Sequence, residues 1–352
     1  MRKTVVFSVS GAVILVAAAA VLRFAVVPGL EQVPGSLDTT LHFTGTADVF
    51  DASALQSGNL ASALHSGVPA TVEEHIKAVS TDGSTVVISD QSKATAAGAA
   101  LLTSQHTWAV DRKTMAAVPA PAGSGAEAHQ GLVVGFPLSP AAKDYPYWDY
   151  PTQSSVTATY QRGEKHAGSQ TYVYTVHASG PLKDPAILAT VPATLPKSTL
   201  LALASALPAP VQSGLTAQAA QLPDQIPLAY TATGDATFWV DTSTGYVVDT
   251  TQKQTVAAAI ALGTVTVPLA TVFALNVKFT PETVKSVGSD ASSARRGLLL
   301  IGVVAPVVLL VIAVLLVLLA IWRGRRPRGT GPDAGVPVAG EPVVPVDASA
   351  GE

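Results

Sequence analysis

Residues 73–88 read EEHIKAVSTDGSTVVI, and this stretch decides the fold class. Apolar and polar residues alternate on both sides of Asp82-Gly83, and Asp-Gly between two such runs is a strong short-range signal for a β-hairpin. We therefore predict two antiparallel strands, Glu73–Val79 and Ser84–Ile88, joined by a tight turn.

The same alternation recurs further along the chain. One predicted hairpin runs from Ser154–Gln161 through a turn at Gly163–Gly168 into Gln170–Val176. Another turns at Thr242–Gly245, where Gly245 supplies the positive φ that such turns often need. These hairpins predict a mainly β domain built from antiparallel sheets.

Helical patterns are sparse in this part of the chain. Lys197–Leu207 is one short candidate. Pro281–Arg296 is another, because proline is favoured at the first position of a helix.

Two apolar segments predict transmembrane helices on either side of the β domain. Gly297–Trp322 has no ionisable side chain and is long enough to cross a hydrocarbon core of about 30 Å. Val5–Leu22 also lacks charge but is shorter. It is either an uncleaved anchor or a signal peptide removed at the run Ala17–Ala20.

Basic residues flank both predicted spans on the sides facing the chain termini. Cytoplasmic flanks carry the excess of lysine and arginine, so both termini are predicted to be cytoplasmic in a two-pass plasma-membrane protein. The predicted organisation is a cytoplasmic N-terminus at 1–4, a transmembrane helix or uncleaved signal anchor at 5–22, an extracytoplasmic β-rich domain at 24–294, a transmembrane helix at 297–322 and a disordered cytoplasmic tail at 323–352.

The composition excludes several classes of protein. Apolar residues make up 48% of the 352 residues and charged residues 13%, which excludes a disordered chain. The formal charge of −3, with acidic residues in excess over 24–294, excludes a basic nucleic-acid binder. Because the chain has no cysteine, it cannot form disulfides or thiolate sites.

A weak internal repeat links the two halves of the predicted domain. Thr107–Thr114 matches Thr237–Thr244, and each is followed by a proline-broken apolar run, Phe136-Pro137-Leu138 and Val267-Pro268-Leu269. Proline in such a run is typical of an edge strand. Either a β unit is duplicated or two Thr/Val-rich strands resemble each other by chance.

The sequence contains no recognisable catalytic constellation. Nucleophile-elbow, dinucleotide, P-loop and zinc-protease motifs are missing, and the histidines are never spaced as a local zinc pair. We expect most of the histidines to be solvated and Asp111 and Asp241 to cap turns. The chain is therefore predicted not to be an enzyme, and no cofactor or metal is expected.

The most distinctive cluster of side chains is aromatic. Tyr145-Pro146-Tyr147-Trp148-Asp149-Tyr150-Pro151 is held extended by its prolines, which indicates an ordered, non-helical segment. It could line a pocket or interface, or only lock a loop onto the core. The candidate ligand or interface contacts are Phe136, Tyr145, Tyr147, Trp148 and Trp239.

An ordered set of short segments carries a family resemblance. Pro34–Thr40 and Phe43–Ala47 follow the first apolar segment, and Tyr145–Asp149 and Val240–Gly245 precede the second, which has a basic tail. Together they resemble the actinobacterial porin PorA-like family of envelope proteins. The resemblance implies an actinobacterial cell-envelope protein, with envelope lipid traffic among the contexts, and it transfers no catalytic residue.

The porin label itself does not follow from the sequence. A transmembrane barrel needs strands of about ten residues with a lipid-facing apolar side, and no long apolar helix. Our leading hypothesis is a non-catalytic, membrane-anchored protein whose extracytoplasmic domain binds an envelope lipid or a partner. The alternatives are a scaffold or regulatory subunit of a membrane complex, and a porin-like channel component.

Overall fold

The computed structural model describes residues 2–50, 64–203, 209–262 and 265–324. The chain divides into two compact units, one made of Met1–Ala20 with Pro306–Glu352 and the other of Val21–Ala305. Almost all of the predicted tail at 323–352 lies outside the described residues, as does the end of the predicted helix Lys197–Leu207.

The described part of the second unit forms one large antiparallel sheet that curves as a half-barrel, which confirms the mainly β prediction. Its strands are β1 (Asp38–Phe50), β2 (Leu64–Asp82), β3 (Thr85–Ala96), β4 (Ala99–Asp111), β5 (Tyr145–Asp149), β6 (Ser154–His166), β7 (Ser169–Pro181), β8 (Thr194–Pro196), β9 (Gln225–Asp241), β10 (Val247–Leu262) and β11 (Val265–Phe279). Their order is β4-β3-β2-β1-β11-β10-β9-β7-β6-β5, and the short β8 pairs with β9.

Helices lie at both ends of the described chain and in the connection between β7 and β9. They are α1 (Arg2–Val21), α2 (Val27–Leu30), α3 (Pro185–Leu188), α4 (Lys197–Leu203), α5 (Ala209–Gln218), α6 (Pro281–Leu299) and α7 (Ala305–Gly324). The predicted helix at Pro281 is confirmed, and Thr280 caps it by accepting a hydrogen bond from the Thr283 backbone N–H.

The hairpin predictions hold, with one correction. Asp82 pairs with Thr85 around the predicted Asp-Gly turn. The turn predicted at Gly163–Gly168 is wrong, because β6 and β7 continue pairing to His166 and Ser169. The true turn is Ala167-Gly168, whose two positive φ angles match the twist of the flanking strands.

Alternation along β1 and β9 separates a buried inner face from a more exposed outer face, whereas β3 and β4 are buried on both faces at 86–88 and 108–110. In β1, Phe43 and Ala47 are buried, while Thr44 and Thr46 are exposed. The main core lies on the inner face and centres on fully buried side chains such as Trp108. This polar outer face contrasts with the apolar outer band of a transmembrane barrel.

The connection at 112–144 runs along both outermost strands of the sheet. Glu127 forms a parallel bridge with Trp108 of β4, and Leu132 forms one with Tyr147 of β5. This connection therefore covers part of the two open edges, which would otherwise present unpaired backbone groups.

The Phe136-Pro137-Leu138 run, predicted as an edge strand, is instead an irregular segment in this connection. Two backbone N–H groups at the end of this segment donate hydrogen bonds to two different turns. Leu138 N–H donates to Lys113 O, and the N–H of the next residue, Ser139, donates to Ser243 O. Pro268 does lie in a strand, β11, where it pairs with Ala259 of β10 beside a register shift. The described β1–β11 pairs stop at Phe273, so proline sits where one side of β11 has no described partner.

The helices of the first unit have apolar side chains exposed along their length. Ile14 of α1 and Leu315 of α7 are 66% and 58% exposed. By length and composition, Ala12–Leu30 and Pro281–Arg323 are each able to cross a membrane. Helical structure runs on through π-helical turns at Leu22–Val26 and Leu300–Val304, so it ends well beyond the predicted limit at Leu22.

Two turns in the β domain have the same hydrogen bonds. Oδ1 of Asp111 accepts from the Lys113 and Thr114 backbone N–H groups and from the Thr114 hydroxyl. Oδ1 of Asp241 accepts from the equivalent groups of Ser243 and Thr244. Both aspartates are therefore turn caps, as predicted.

Candidate functional site

Four of the five predicted aromatic contacts lie together, and Trp239 does not. Phe136 is buried and packs against Tyr145, with ring centroids 5.9 Å apart. Tyr147 and Trp148 pack against the same core cluster. The structure therefore brings together four of the five predicted contact residues.

Tyr147 and Trp148 line a cavity of about 80 Å³ on the inner side of the sheet. The short strand β5 positions them, since Tyr147 pairs with Val156 and Trp148 with Ser155 of β6. Asp149 then ends the strand by accepting a hydrogen bond from the Thr152 backbone N–H. Burial raises the pKa of the Asp149 carboxyl, although Thr152 opposes this.

Trp239 belongs to a separate cluster of contacts. Its indole N–H donates to Glu164 at 2.6 Å, and its ring stacks on His166 with centroids 4.8 Å apart. His166 in turn lies 2.7 Å from Asp249. Because alternation along β9 turns Phe238 towards Tyr147, it turns Trp239 the other way.

A second cavity, of about 60 Å³, is acidic and was missed in the sequence. Glu74 of β2, Asp90 of β3 and His106 of β4 line it from three neighbouring strands. Asp90 pairs directly with His106, and Glu74 is diagonal to Asp90 because it pairs with Ser92. The two cavities share walls formed by Tyr150, Gln252, Gln254, Leu275 and Val277.

Glu74 and Asp90, two of the carboxyls that line this cavity, are hard to ionise together. Burial raises the pKa of Glu74 well above its usual range, and the charge of Asp90 raises it further. Burial also raises the pKa of Asp90 to about 6, although the charge of a protonated His106 acts to lower it. Ionisation of one carboxyl in such a pair therefore disfavours ionisation of the other.

His106 is buried and is therefore an exception to the solvated environment expected for most histidines. Its Nδ1 lies 3.1 Å from both carboxylate oxygens of Glu127, and its ring packs against Tyr150 with centroids 5.1 Å apart. The other ring nitrogen, Nε2, is buried and makes no hydrogen bond within the described structure. A neutral imidazole that donates from Nδ1 has Nε2 free to accept a hydrogen bond.

Two more polar atoms around this cavity are buried without a partner among the described residues. They are Oδ2 of Asp184 and Nε2 of Gln254. Asp184 is 1% exposed, and its other oxygen accepts from the Ala186 N–H at the start of α3. Buried polar atoms are almost always paired, so unpaired atoms around one cavity indicate a place for a bound group.

A signal for this site does exist in the sequence. Because residues two apart on a strand lie on the same face, Glu74 shares a face with buried Val72 and Ile76, and Asp90 shares one with buried Ile88. A charged residue at an inward position is unusual and is retained only with a partner or a function. The strand register was needed to recognise that these positions face each other.

Within the described ranges, no group of three histidine, cysteine, aspartate or glutamate residues is arranged to hold a metal ion. Of the residues described around the acidic cavity, none is lysine or arginine. Both cavities are far smaller than the roughly 300–1,000 Å³ of pockets that enclose small molecules. The site can therefore take a small polar group but cannot enclose an acyl chain.

Comparison with known proteins identifies the family. The family model described as Porin PorA matches residues 5–322, which is most of the chain. The chain belongs to this family. No curated protein shows a significant match. Family membership and the two apolar helices together indicate a membrane protein of the cell envelope.

Proposed function

We propose that this member of the Porin PorA family is a non-catalytic, two-pass protein of an actinobacterial plasma membrane. In this proposal, residues 5–22 and 297–322 cross the bilayer, and residues 24–294 form the extracytoplasmic domain. Residues 1–4 and the tail at 323–352 are cytoplasmic. The β domain binds an envelope lipid or a partner protein.

The observation that carries the proposal is the exposure of apolar side chains along the terminal helices. Val13 and Leu318 are 63% and 55% exposed, in segments that have no ionisable residue. Burying each such side chain in an apolar medium is worth about 1.5–3 kcal/mol, so the bilayer is the natural environment for both helices.

Single-cysteine labelling tests the topology, and the natural chain provides a background without cysteine. A membrane-impermeant maleimide should label Ser155→Cys in intact cells and should label Ser349→Cys only after lysis. The reverse pattern would contradict the proposed orientation. Sequencing the mature N-terminus distinguishes an anchor, which keeps residues 5–22, from a cleaved signal peptide.

The lipid-binding form of the proposal concerns a headgroup, because the cavities of about 80 and 60 Å³ are too small for acyl chains. The full chain should be purified in detergent and its bound lipids extracted for mass spectrometry. Enrichment of one lipid class over the host membrane supports lipid binding. Membrane-average lipids, together with a stoichiometric crosslinked protein in native membranes, would instead support the scaffold or regulatory alternative.

The family name favours a second candidate function, formation of a pore. Two helices enclose no aqueous path, so a pore would require several copies of the chain. Conductance in planar bilayers tests this candidate. Ion-selective steps from the purified chain would establish it, and their absence at high protein load would remove it.

We also propose that the β domain contains a duplicated β unit, whose two copies match at Thr107–Thr114 and Thr237–Thr244. The matching hydrogen bonds of Asp111 and Asp241 support this assignment. If the assignment is correct, aligning the first half of each related sequence with its own second half should match the residues around the Asp111 turn with those around the Asp241 turn. Alignments that fail at both turns would contradict it.

A further inference from the structure

The acidic cavity of the β domain has the chemistry of a cation site rather than a water-filled gap. Three carboxyls line it, from Glu74, Asp90 and Asp184, and Glu127 lies behind His106. The described lining includes neither lysine nor arginine, and its basic side chain is His106, whose Nδ1 is paired with Glu127. An excess of carboxyl over basic groups in a half-buried cavity favours a positively charged occupant.

The unpaired atoms around the cavity are mostly acceptors. In an ionised Asp184 carboxylate, Oδ2 can accept a hydrogen bond but cannot donate one. Nε2 of His106 is also an acceptor in the tautomer whose Nδ1 donates to Glu127. Asp184 is 1% exposed, so this oxygen cannot obtain its partner from bulk water. An occupant with several N–H donors would satisfy these groups together.

We propose that this cavity binds a primary ammonium group, with Asp184, His106 and the facing carboxyls of Glu74 and Asp90 as its acceptors. An ammonium has three donors and one positive charge, which match the unpaired acceptors Asp184 Oδ2 and His106 Nε2 and an acidic lining. The ring of Tyr150, which also lines the cavity, offers a face for the attached carbon atoms or a cation–π contact.

The cavity volume and donor set exclude the main rivals. About 60 Å³ holds roughly four water-sized probes, enough for an aminomethyl group but not for a folded peptide or a sugar ring. A divalent metal would need three ligands in a suitable arrangement, which the described residues do not provide. An anion would face three carboxyls. A primary ammonium could come from a lipid headgroup or from a free amine.

The proposal deepens the proposed binding function, but it does not depend on which side of the membrane the β domain lies. The test is calorimetric titration of the detergent-solubilised full chain with ethylammonium chloride, with ethanol as the neutral probe of similar size. We expect saturable binding of ethylammonium and none of ethanol. Equal binding of both, or no saturable binding of ethylammonium at millimolar concentration, would overturn the proposal whatever the topology.

Asp184→Asn is the sharpest variant, because the asparagine keeps Oδ1 for the Ala186 N–H and replaces the unpaired oxygen with an amide nitrogen. We expect ethylammonium affinity to fall at least about tenfold, since a charge-assisted hydrogen bond is lost. Asp82→Asn, at the exposed hairpin turn, makes the same change in net charge and should leave the affinity unchanged. Equal losses in both variants would mean that only net charge matters and would overturn the site.

A second variant keeps the proposal falsifiable if Asp184→Asn fails to fold. Ser104 is buried and lines the cavity, so Ser104→Val narrows it without changing any charge. We expect this variant to lose ethylammonium binding while its circular dichroism stays that of the parent. Unchanged binding in a folded Ser104→Val variant would overturn the assignment to this cavity.

Nanodiscs identify the source of the ammonium group. If the source is a lipid headgroup, phosphatidylethanolamine in the disc should weaken ethylammonium binding by competition relative to phosphatidylglycerol. Equal affinity in the two discs would assign the site to a free amine. Both results support the ammonium chemistry, and they separate it from the topology measured by thiol labelling.

Discussion

The turns at Asp111 and Asp241 have the same internal hydrogen bonds and different surroundings. An equivalent backbone hydrogen bond also joins the two ends of each turn. The Asp111 N–H donates to Ala116 O, and the Asp241 N–H donates to Tyr246 O. Asp111 remains partly accessible, whereas Asp241 is fully buried with Arg295 of α6 at 3.6 Å from its Oδ2. Local sequence thus sets the turn geometry, and packing determines how strongly the stability of the fold depends on that turn.

One further difference lies at the position with positive φ. Met115 occupies it in the first turn, with φ 57°, and its side chain is buried in the core. Gly245 occupies it in the second, with φ 73°, and a Cβ there would lie 2.3 Å from Pro137 O. The backbone of the irregular segment that contains Phe136 and Pro137 therefore packs directly against the second turn.

The largest effect is expected for Gly245→Ala. The new methyl group collides with the backbone oxygens of Phe136 and Pro137, and alanine is also disfavoured at positive φ. We expect a loss of at least about 3 kcal/mol in the free energy of unfolding, measured by denaturant titration of tryptophan fluorescence. Gly83→Ala is the matched control, because its φ is 54° with open space around it, and it should lose only about 1 kcal/mol.

The next largest effect separates the two aspartates. Asp241→Ala removes three hydrogen bonds at a fully buried site, so we expect a loss of about 3 kcal/mol in the free energy of unfolding. Asp111→Ala removes the equivalent bonds where water can replace them, so we expect about 1 kcal/mol. Equal losses would mean that the turn itself, and not its burial, determines the cost.

A smaller effect concerns the contact between the second turn and α6. Arg295 has a side chain that is 39% exposed, and its 3.6 Å approach to Asp241 is an ion pair without a hydrogen bond. In a double-mutant cycle of Asp241→Asn and Arg295→Gln, we expect a coupling free energy below about 1 kcal/mol that falls as salt is added. A coupling that is larger and insensitive to salt would contradict this description of the contact.

The smallest effect is the pH dependence of the first turn. Burial acts to raise the pKa of Asp111, but hydrogen bonds from Thr114 and Lys113 outweigh it and hold the pKa below its ordinary value. Asp111 therefore stabilises the fold above its ordinary pKa of about 3.9, and this contribution disappears as pH falls through the lowered value. The stability difference between the natural chain and Asp111→Asn should shrink on acidification, and a difference that is constant with pH would contradict the assignment.

Several local features could be predicted because their chemistry is contained in a few neighbouring residues. The Asp82-Gly83 hairpin, the aspartate caps and the helix start at Pro281 all depend on turn or cap residues acting over one to four positions. The turn at Ala167-Gly168 was misplaced, because Gly163 and Gly168 gave competing local signals and only pairing between β6 and β7 decides between them.

The candidate site was less predictable. The aromatic segment was recognisable from its composition, but the acidic cavity brings together β2, β3, β4, the start of α3 and β10, which are distant in the chain. Trp239 contacts Glu164 and His166 and lies apart from the other aromatic candidates, since its orientation depends on which face of β9 turns inward. Neither fact follows from local patterns, because a shift of one residue in register would reverse every inward position.

The sequence by itself determined the apolar helices, the β character of the domain between them and the turn chemistry at Asp111 and Asp241. These features depend on composition and on interactions between near neighbours. Only the tertiary structure decided that β1 pairs with β11, that Asp241 is buried against α6, and that Glu74, Asp90, His106 and Asp184 line one cavity. The physical reason is that long-range pairing and burial set the solvation of a charged group, and solvation determines whether a carboxylate is a surface cap or part of a site.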